Sequence, residues 1–241
     1  RRLEKCGVEL YLGQRQSAES LLGGGFDEVI LATGIRPRTP NIPGIDHPKV
    51  LSYRDVLRDG RPVGDKVAVI GAGGIGFDVA EFLVEKKAEG SADHHRDHWL
   101  REWGIDKSLG ERGGLMTPVI DAPERQIWLL QRKESKVGDG LGKTTGWIHR
   151  TVLKNRKVQM LSGVQYLRID DEGLHIQVGE QQQCLPVDQV IICAGQEPLR
   201  ELQAGLQAAG KPVHIIGGAD VAAELDAKRA IRQGAELASV I

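Results

Sequence analysis

Apolar and polar positions divide the chain into short blocks of two kinds. Runs such as "VILA" (29–32), "VAVI" (67–70), "IWLL" (127–130) and "VIICA" (190–194) are apolar throughout, bounded by glycine, proline or charge. That pattern predicts strands covered on both faces. After Ile70, the residues Ile75, Val79, Phe82 and Leu83 recur at the spacing of one buried helix face. Residues 137–163 read as loop, helix and strand. Residues 164–198 alternate apolar and polar positions in two hairpin-like strands around Asp170–Gly173, then enter the 190–194 strand. The end, "HIIGGADVAAELDAKRAIRQGAELASVI", predicts a strand, a glycine turn and a long helix starting near Val221. Residues 46–65 form a polar connector with a helical stretch near Tyr53–Arg58. Residues 86–124 are charged and His-rich and read as an insertion. The blocks together predict an α/β fold with a β-meander inside it.

The opening "RRLEKCGVELYLG" reads as the end of a helix, with Leu3 and Cys6 on one side, passing through Gly7 into a strand, Val8–Leu12. With no initiator methionine there, we expect a fragment whose upstream part is missing.

Composition narrows the partners. The 241 residues suffice for one large or two small domains. Lys plus Arg (32) nearly cancels Asp plus Glu (33), so no net field points to nucleic acid or an anionic membrane. No apolar stretch reaches bilayer length and no signal peptide opens the chain. Cys6, Cys184 and Cys193 are far apart with no CxxC pair, which suits a reducing cytoplasm and disfavours a disulfide reductase.

The chemistry concentrates in "VAVIGAGGIGFDVA" (67–80). Gly71, Gly73 and Gly76 satisfy G-x-G-x-x-G between an apolar strand and an amphipathic helix, the context a dinucleotide loop requires. Gly71 permits the tight turn, Gly73 and Gly74 let backbone approach a pyrophosphate, and Gly76 allows close helix–strand packing. Counting about twenty residues on for the residue that reads the ribose lands near Asp97. That segment has no strand pattern. The next strand-like run ends at Gln131, followed by Arg132 and Lys133. Two cations there suit a 2′-phosphate and favour NADP(H) over NAD(H). The simpler alternative is a solvated basic strand end.

Other signals are weaker. "GDGLGKTT" would need a glycine at Val137 to be a phosphate loop for ATP. We read it as a loop beside the nucleotide cleft, with Lys143 and Thr144 near phosphate or ribose, or as a plain connection. His94 and His98 lie four apart, but an exposed insertion explains them better than a metal site, and no metal ligand is assigned. His149 and Trp147 read as packing or capping residues.

"VILATG" (29–34) and "VIICAG" (190–195) are near-repeats flanking the Gly71 segment. Together with "GGIGFD", "EWGID", "QRK", "GLGKTTGWIHR", "DDEGLH", "VDQVIICAGQEP" and "GGADVAAELDAKRAI", they make the chain resemble the bacterial NADPH-dependent 2,4-dienoyl-CoA reductases over nearly its whole length. The resemblance implies a Rossmann-like NADP-binding domain (62–188, with its insertion at 86–124) inserted into a partial FAD-binding domain (1–61 and 189–241), as in flavoproteins with two dinucleotide-binding folds. It implies FAD held partly by Ala32, Thr33, Gly34, Gly195, Asp220 and Val221. It also implies a missing N-terminal barrel with FMN, a [4Fe–4S] cluster and the 2,4-dienoyl-CoA site. NADPH would pass hydride to FAD by alignment of the two rings, so no catalytic residue is named. The alternative is a nucleotide-binding module of a trimethylamine dehydrogenase-like flavoprotein with an unrelated acceptor.

Overall fold

Each continuously apolar run is a strand in the computed structural model, which describes residues 2–85, 91–223 and 226–241. In chain order the elements are α1 (Arg2–Lys5), α2 (Ala18–Gly23), β1 (Val29–Leu31), β2 (Ile35–Pro37), β3 (Val50–Ser52), α3 (Tyr53–Leu57), β4 (Lys66–Ile70) and α4 (Gly74–Val84). Next come α5 (Ala92–Glu102), β5 (Gln126–Leu130), α6 (Gly146–Asn155), β6 (Gln159–Leu161), β7 (Val164–Asp170), β8 (Gly173–Val178) and β9 (Gln181–Leu185). The chain closes with β10 (Gln189–Ile192), β11 (Gln196–Pro198), α7 (Gln203–Ala208), β12 (Val213–Ile215) and α8 (Ala227–Ala238).

Two compact units result: Pro37–Gly195, and Arg1–Arg36 with Gln196–Ile241. In the first, a parallel sheet runs in the order β3-β10-β4-β5-β6. Successive residues of its strands face opposite ways, so one sequence run supplies two cores. Val67, Val69, Ile127, Leu129 and Ile191 pack under Phe77, Val79, Ala80, Leu83 and Val84 of α4 and Leu153 of α6. Ala68, Ile70, Trp128, Leu130, Val190 and Ile192 pack against Val164, Ile169, Leu174, Ile176 and Leu185 of the meander. This burial on both faces is why the runs are apolar throughout.

The second unit pairs β1 with β12 in parallel, Leu31 opposite Ile215. Its small core joins Val29, Leu31 and Leu206 to Ala18, Leu21, Leu22, Leu202 and Val213. Among the described residues, no helix is long and apolar enough to cross a membrane.

Several local expectations differ. Val8–Leu12 is not a strand, because among the described residues nothing pairs with it and its apolar side chains stay exposed. On α4, Phe82 is 52% exposed whereas Phe77 is fully buried, so the buried face is rotated from the expected one. The meander has a third strand, β9, missed because four of its five residues are exposed on an edge. The expected domain boundaries, 61/62 and 188/189, also differ from the division between the units. β3 and β10 hydrogen-bond into the sheet of β4, which draws residues 37–61 and 189–195 into the unit of the glycine loop.

Candidate functional site

The glycine loop follows β4 directly. The Gly71 N–H donates to Leu130 O at 2.8 Å, fastening the loop to the neighbouring strand. Gly71 has φ +109°, and a Cβ there would lie 2.5 Å from the Cys193 carbonyl oxygen at the end of β10. A Cβ at Gly76 would lie 1.8 Å from the Gly71 oxygen. These two glycines are demanded by backbone approaching backbone. Gly73 and Gly74 are different: a Cβ at either meets nothing within 4 Å.

That open space faces a helix start. The first helical bond runs from Phe77 N–H to Gly73 O at 3.1 Å, and Gly73 supplies no side-chain cap. The N–H groups of Gly74, Ile75 and Gly76 therefore have no carbonyl in the helix to donate to. Free donors, the positive end of the helix and open space at Gly73 and Gly74 fit a pyrophosphate.

The two cations lie one strand away. β5 runs parallel to β4 with Leu130 opposite Ile70, so Gly71 and Gln131 leave the sheet side by side. The Gln131 amide donates to Lys133 O at 3.0 Å and Ser135 O at 2.5 Å, and Gly163 N–H donates to Lys133 O at 3.0 Å. This turn holds Arg132 and Lys133 exposed, and among the described residues neither is in an ion pair. Burial pushes the Tyr166 hydroxyl well above its ordinary pKa, and the charge of Arg132 opposes that shift. Between α6 and the end of β6 lies a cavity of about 600 Å³, lined partly by Lys136, Arg150, Lys154, Trp147 and Ser162. Among the described residues, three basic groups and no carboxylate line it. The sequence reading missed this cavity because its wall comes from three separate stretches. Trp147, Arg150 and Lys154, spaced along one face of α6, were the available signal.

Lys143 and Thr144 are exposed in the loop before α6. His149 is a link between helices: its Nδ1 lies 2.7 Å from Glu81 Oε1 on α4. Burial raises the Glu81 carboxyl above its ordinary pKa, and His149 opposes that shift. Trp147 donates from Nε1 to Thr144 O at 3.0 Å. α5 buries no residue, and its His98 Nε2 lies 3.0 Å from Asp121 Oδ2.

In the other unit the two expected flavin segments emerge at the same end of neighbouring parallel strands. Ala32, Thr33 and Gly34 follow β1, and Thr33 Oγ1 donates to Leu199 O at 2.5 Å. Gly34 has φ +79°. Asp220 and Val221 follow β12 through a 3-10 turn, Gly217–Ala219. The long helix does not begin near Val221. It begins at Ala227, capped by Asp226, whose side chain accepts from Lys228 N–H at 2.8 Å. Asp220 instead takes a 2.7 Å bond from Gln233 Nε2 on Oδ2, while Gln233 Oε1 accepts from Gly217 N–H at 2.8 Å. The turn is thus clamped to α8 by one amide, and Asp220 is not the helix cap. Gly195, also expected among the flavin residues, is the last residue of the Gly71 unit, and a Cβ there would lie 3.4 Å from Arg38 Nε.

The cysteines separate by burial. Cys6 and Cys184 are exposed, whereas burial pushes the Cys193 thiol up to about 12. An aromatic disulfide reagent should therefore titrate two thiols in the folded chain and the third only after denaturation. Three rapid equivalents in the folded chain would contradict the packing around Cys193.

Residues 7–226 match the family model described as pyridine nucleotide-disulphide oxidoreductase. A metal reductase of Desulforamulus reducens is 29% identical over 219 residues, covering 88% of this chain and 31% of the relative. A 2-naphthoyl-CoA reductase structure superposes with a TM-score of 0.74 at 21% identity, covering all of this chain and 31% of that one. Histamine dehydrogenase from Rhizobium sp. 4-9 superposes with a TM-score of 0.68 at 19% identity, covering 96% of this chain and 33% of that one. The chain thus spans about a third of the length of these proteins. The strand–glycine–helix loop and the match along most of the sequence agree: the chain belongs to the pyridine nucleotide-disulphide oxidoreductase family, with its α/β FAD/NAD(P)-binding fold.

Proposed function

We propose that residues 37–195 bind NADP(H), with the pyrophosphate on Gly71, Gly73, Gly74 and Gly76 and the 2′-phosphate on Arg132 and Lys133. The observation that carries this reading is the open space at Gly73 and Gly74 beside the start of α4, one strand from two cations that pair with no carboxylate among the described residues. Ala32, Thr33, Gly34, Asp220 and Val221 would hold part of FAD in the other unit. When bound, NADPH supplies a hydride and FAD accepts it. The residues of this chain bind and orient both, since hydride transfer depends on positioning.

The resemblance of "GLGKTTGWIHR" and "GGADVAAELDAKRAI" supports a place in an NADPH-dependent 2,4-dienoyl-CoA reductase, with FMN, an iron–sulfur cluster and the acyl-CoA site elsewhere in the protein. The names of the relatives favour one other reading. A metal reductase and a histamine dehydrogenase share this fold, so the same module would serve a trimethylamine dehydrogenase-like flavoprotein with another acceptor.

Titration calorimetry of the full chain with NADPH and NADH tests the nucleotide. We expect NADPH to bind at least about tenfold tighter, the equivalent of about 1.4 kcal/mol. Equal affinities would remove Arg132 and Lys133 from the site.

A further inference from the structure

We infer that the hairpin end of the β-meander carries a divalent-metal site formed by Glu172, His175 and Cys184, independent of the dinucleotide site. β8 and β9 pair with His175 directly opposite Cys184, while Glu172 sits in the tight turn leading into β8. His175 Nε2 lies 3.7 Å from Cys184 Sγ and 3.7 Å from Glu172 Oε2. All three ligand atoms lie within 4.8 Å of one another. A tetrahedral zinc ion, with bonds of about 2.3 Å to sulfur and about 2.0–2.2 Å to nitrogen and oxygen, separates its ligand atoms by about 3.4–3.6 Å. Two edges of the trio therefore need to close by only a few tenths of an ångström.

The frame around the trio is rigid where a site needs rigidity. The His175 side chain is 12% exposed, and its Nε2 lies 2.9 Å from Asp170 Oδ1, a hydrogen bond that metal ligation through the same nitrogen replaces. Gly173, with φ +143°, packs so closely that a Cβ would lie 2.0 Å from Leu185 O, which fixes the turn between Glu172 and His175. Glu172 and Cys184 are exposed, so a cation reaches the site from solvent and water completes its shell.

Charge favours a cation as well. The Asp170 and Glu172 carboxylates both lie beside His175 Nε2, at 2.9 and 3.7 Å. Of the neighbouring cations, one already offsets Asp170 and the other is bonded at Asp171. Arg168 pairs with Asp170 Oδ2 at 2.8 Å, and Lys49 Nζ donates to the Asp171 carbonyl at 2.5 Å. His47, nearby, is bonded to Asp171 Oδ1 at 3.2 Å. A dication would take the Cys184 thiolate, the Glu172 carboxylate and His175 Nε2 as ligands; the thiol proton leaves to solvent, the bond from Nε2 to Asp170 is given up, and the imidazole carries its remaining proton on Nδ1. A thiolate, an imidazole and a carboxylate form a donor set suited to zinc.

Cobalt(II), which reports thiolate ligation by colour, is the probe. Added to the full chain, one equivalent should give a thiolate-to-cobalt charge-transfer band and intense tetrahedral visible bands. Zinc(II) should bleach both, and should lower the thiols open to an aromatic disulfide reagent from two to one. Cys184→Ser should lose the charge-transfer band, and His175→Gln should weaken cobalt binding at least about tenfold. Cys6→Ser, at the other exposed thiol, should match wild type. Circular dichroism confirms that each variant is folded, and Cys184→Ser, on an exposed edge, carries the decision. Weak octahedral absorption alone in wild type, or a spectrum unchanged by Cys184→Ser, overturns the site.

Discussion

Gly73→Ala should remove dinucleotide binding while leaving the fold in place, and Gly76→Ala should damage both. Gly73 has φ −83° and ψ −173°, extended backbone that alanine adopts, and its Cβ would stand in open space. As a helix cap, alanine is poorer than glycine by about 1 kcal/mol, so the thermal midpoint should fall only slightly. The methyl group would occupy the volume that lets a phosphate reach the free N–H groups. We expect NADPH affinity to fall at least about 100-fold, the scale of losing several charge-assisted bonds. At Gly76, alanine gains about 1 kcal/mol of helix propensity. Against that, its Cβ would lie 1.8 Å from the Gly71 carbonyl oxygen, a contact that only backbone movement relieves. Overpacking of this kind costs about 3 kcal/mol or more, so Gly76→Ala should melt markedly lower. Melting curves with NADPH titrations on both variants separate the roles. Wild-type affinity in Gly73→Ala would place the phosphates elsewhere.

Arg132→Ala should weaken NADPH and spare NADH. A charged hydrogen bond contributes about 1.5–3 kcal/mol, so the loss should be about 10- to 150-fold. Arg132 is exposed and, among the described residues, unpaired, so no buried partner is orphaned and stability should stay within about 0.5 kcal/mol of wild type. Arg132→Lys should recover part of the affinity, because an ammonium keeps the charge and loses the paired geometry. An equal loss for NADH would trace the effect to the turn around Gln131.

The parallel sheet was legible because each strand is buried on both faces and reads as an unbroken apolar run. The glycine loop was legible for a related reason. Gly71 and Gly76 are forced by backbone contacts, and their spacing along the chain records that geometry. Arg132 and Lys133 became readable once the strand pattern, and not a residue count, located the end of β5. Properties set by strand pairing stayed hidden. β9 is polar because its outer edge is solvated, so its pattern does not announce a strand. β3 and β10 joined the sheet of β4 through backbone hydrogen bonds, which side-chain patterns do not encode, and this moved the unit boundaries. The start of α8 was misplaced because the glycine turn and Val221 read as leading straight into the helix, whereas Asp220 is held by Gln233 and Asp226 caps the helix. The grouping of Glu172 and His175 with Cys184 also depends on cross-strand register, so no spacing motif marks it.

Phosphorus NMR of NADPH on the full chain tests the nucleotide assignment most directly, because it observes both phosphate environments at once. Binding should shift the pyrophosphate signals, and Gly73→Ala should abolish that shift. The 2′-phosphate should also shift, and Arg132→Ala should return it toward its free position. Cations beside the 2′-phosphate favour its dianion, so its second pKa, about 6 when free, should fall in the complex. A bound NADPH whose 2′-phosphate titrates as it does in free solution would contradict the assignment.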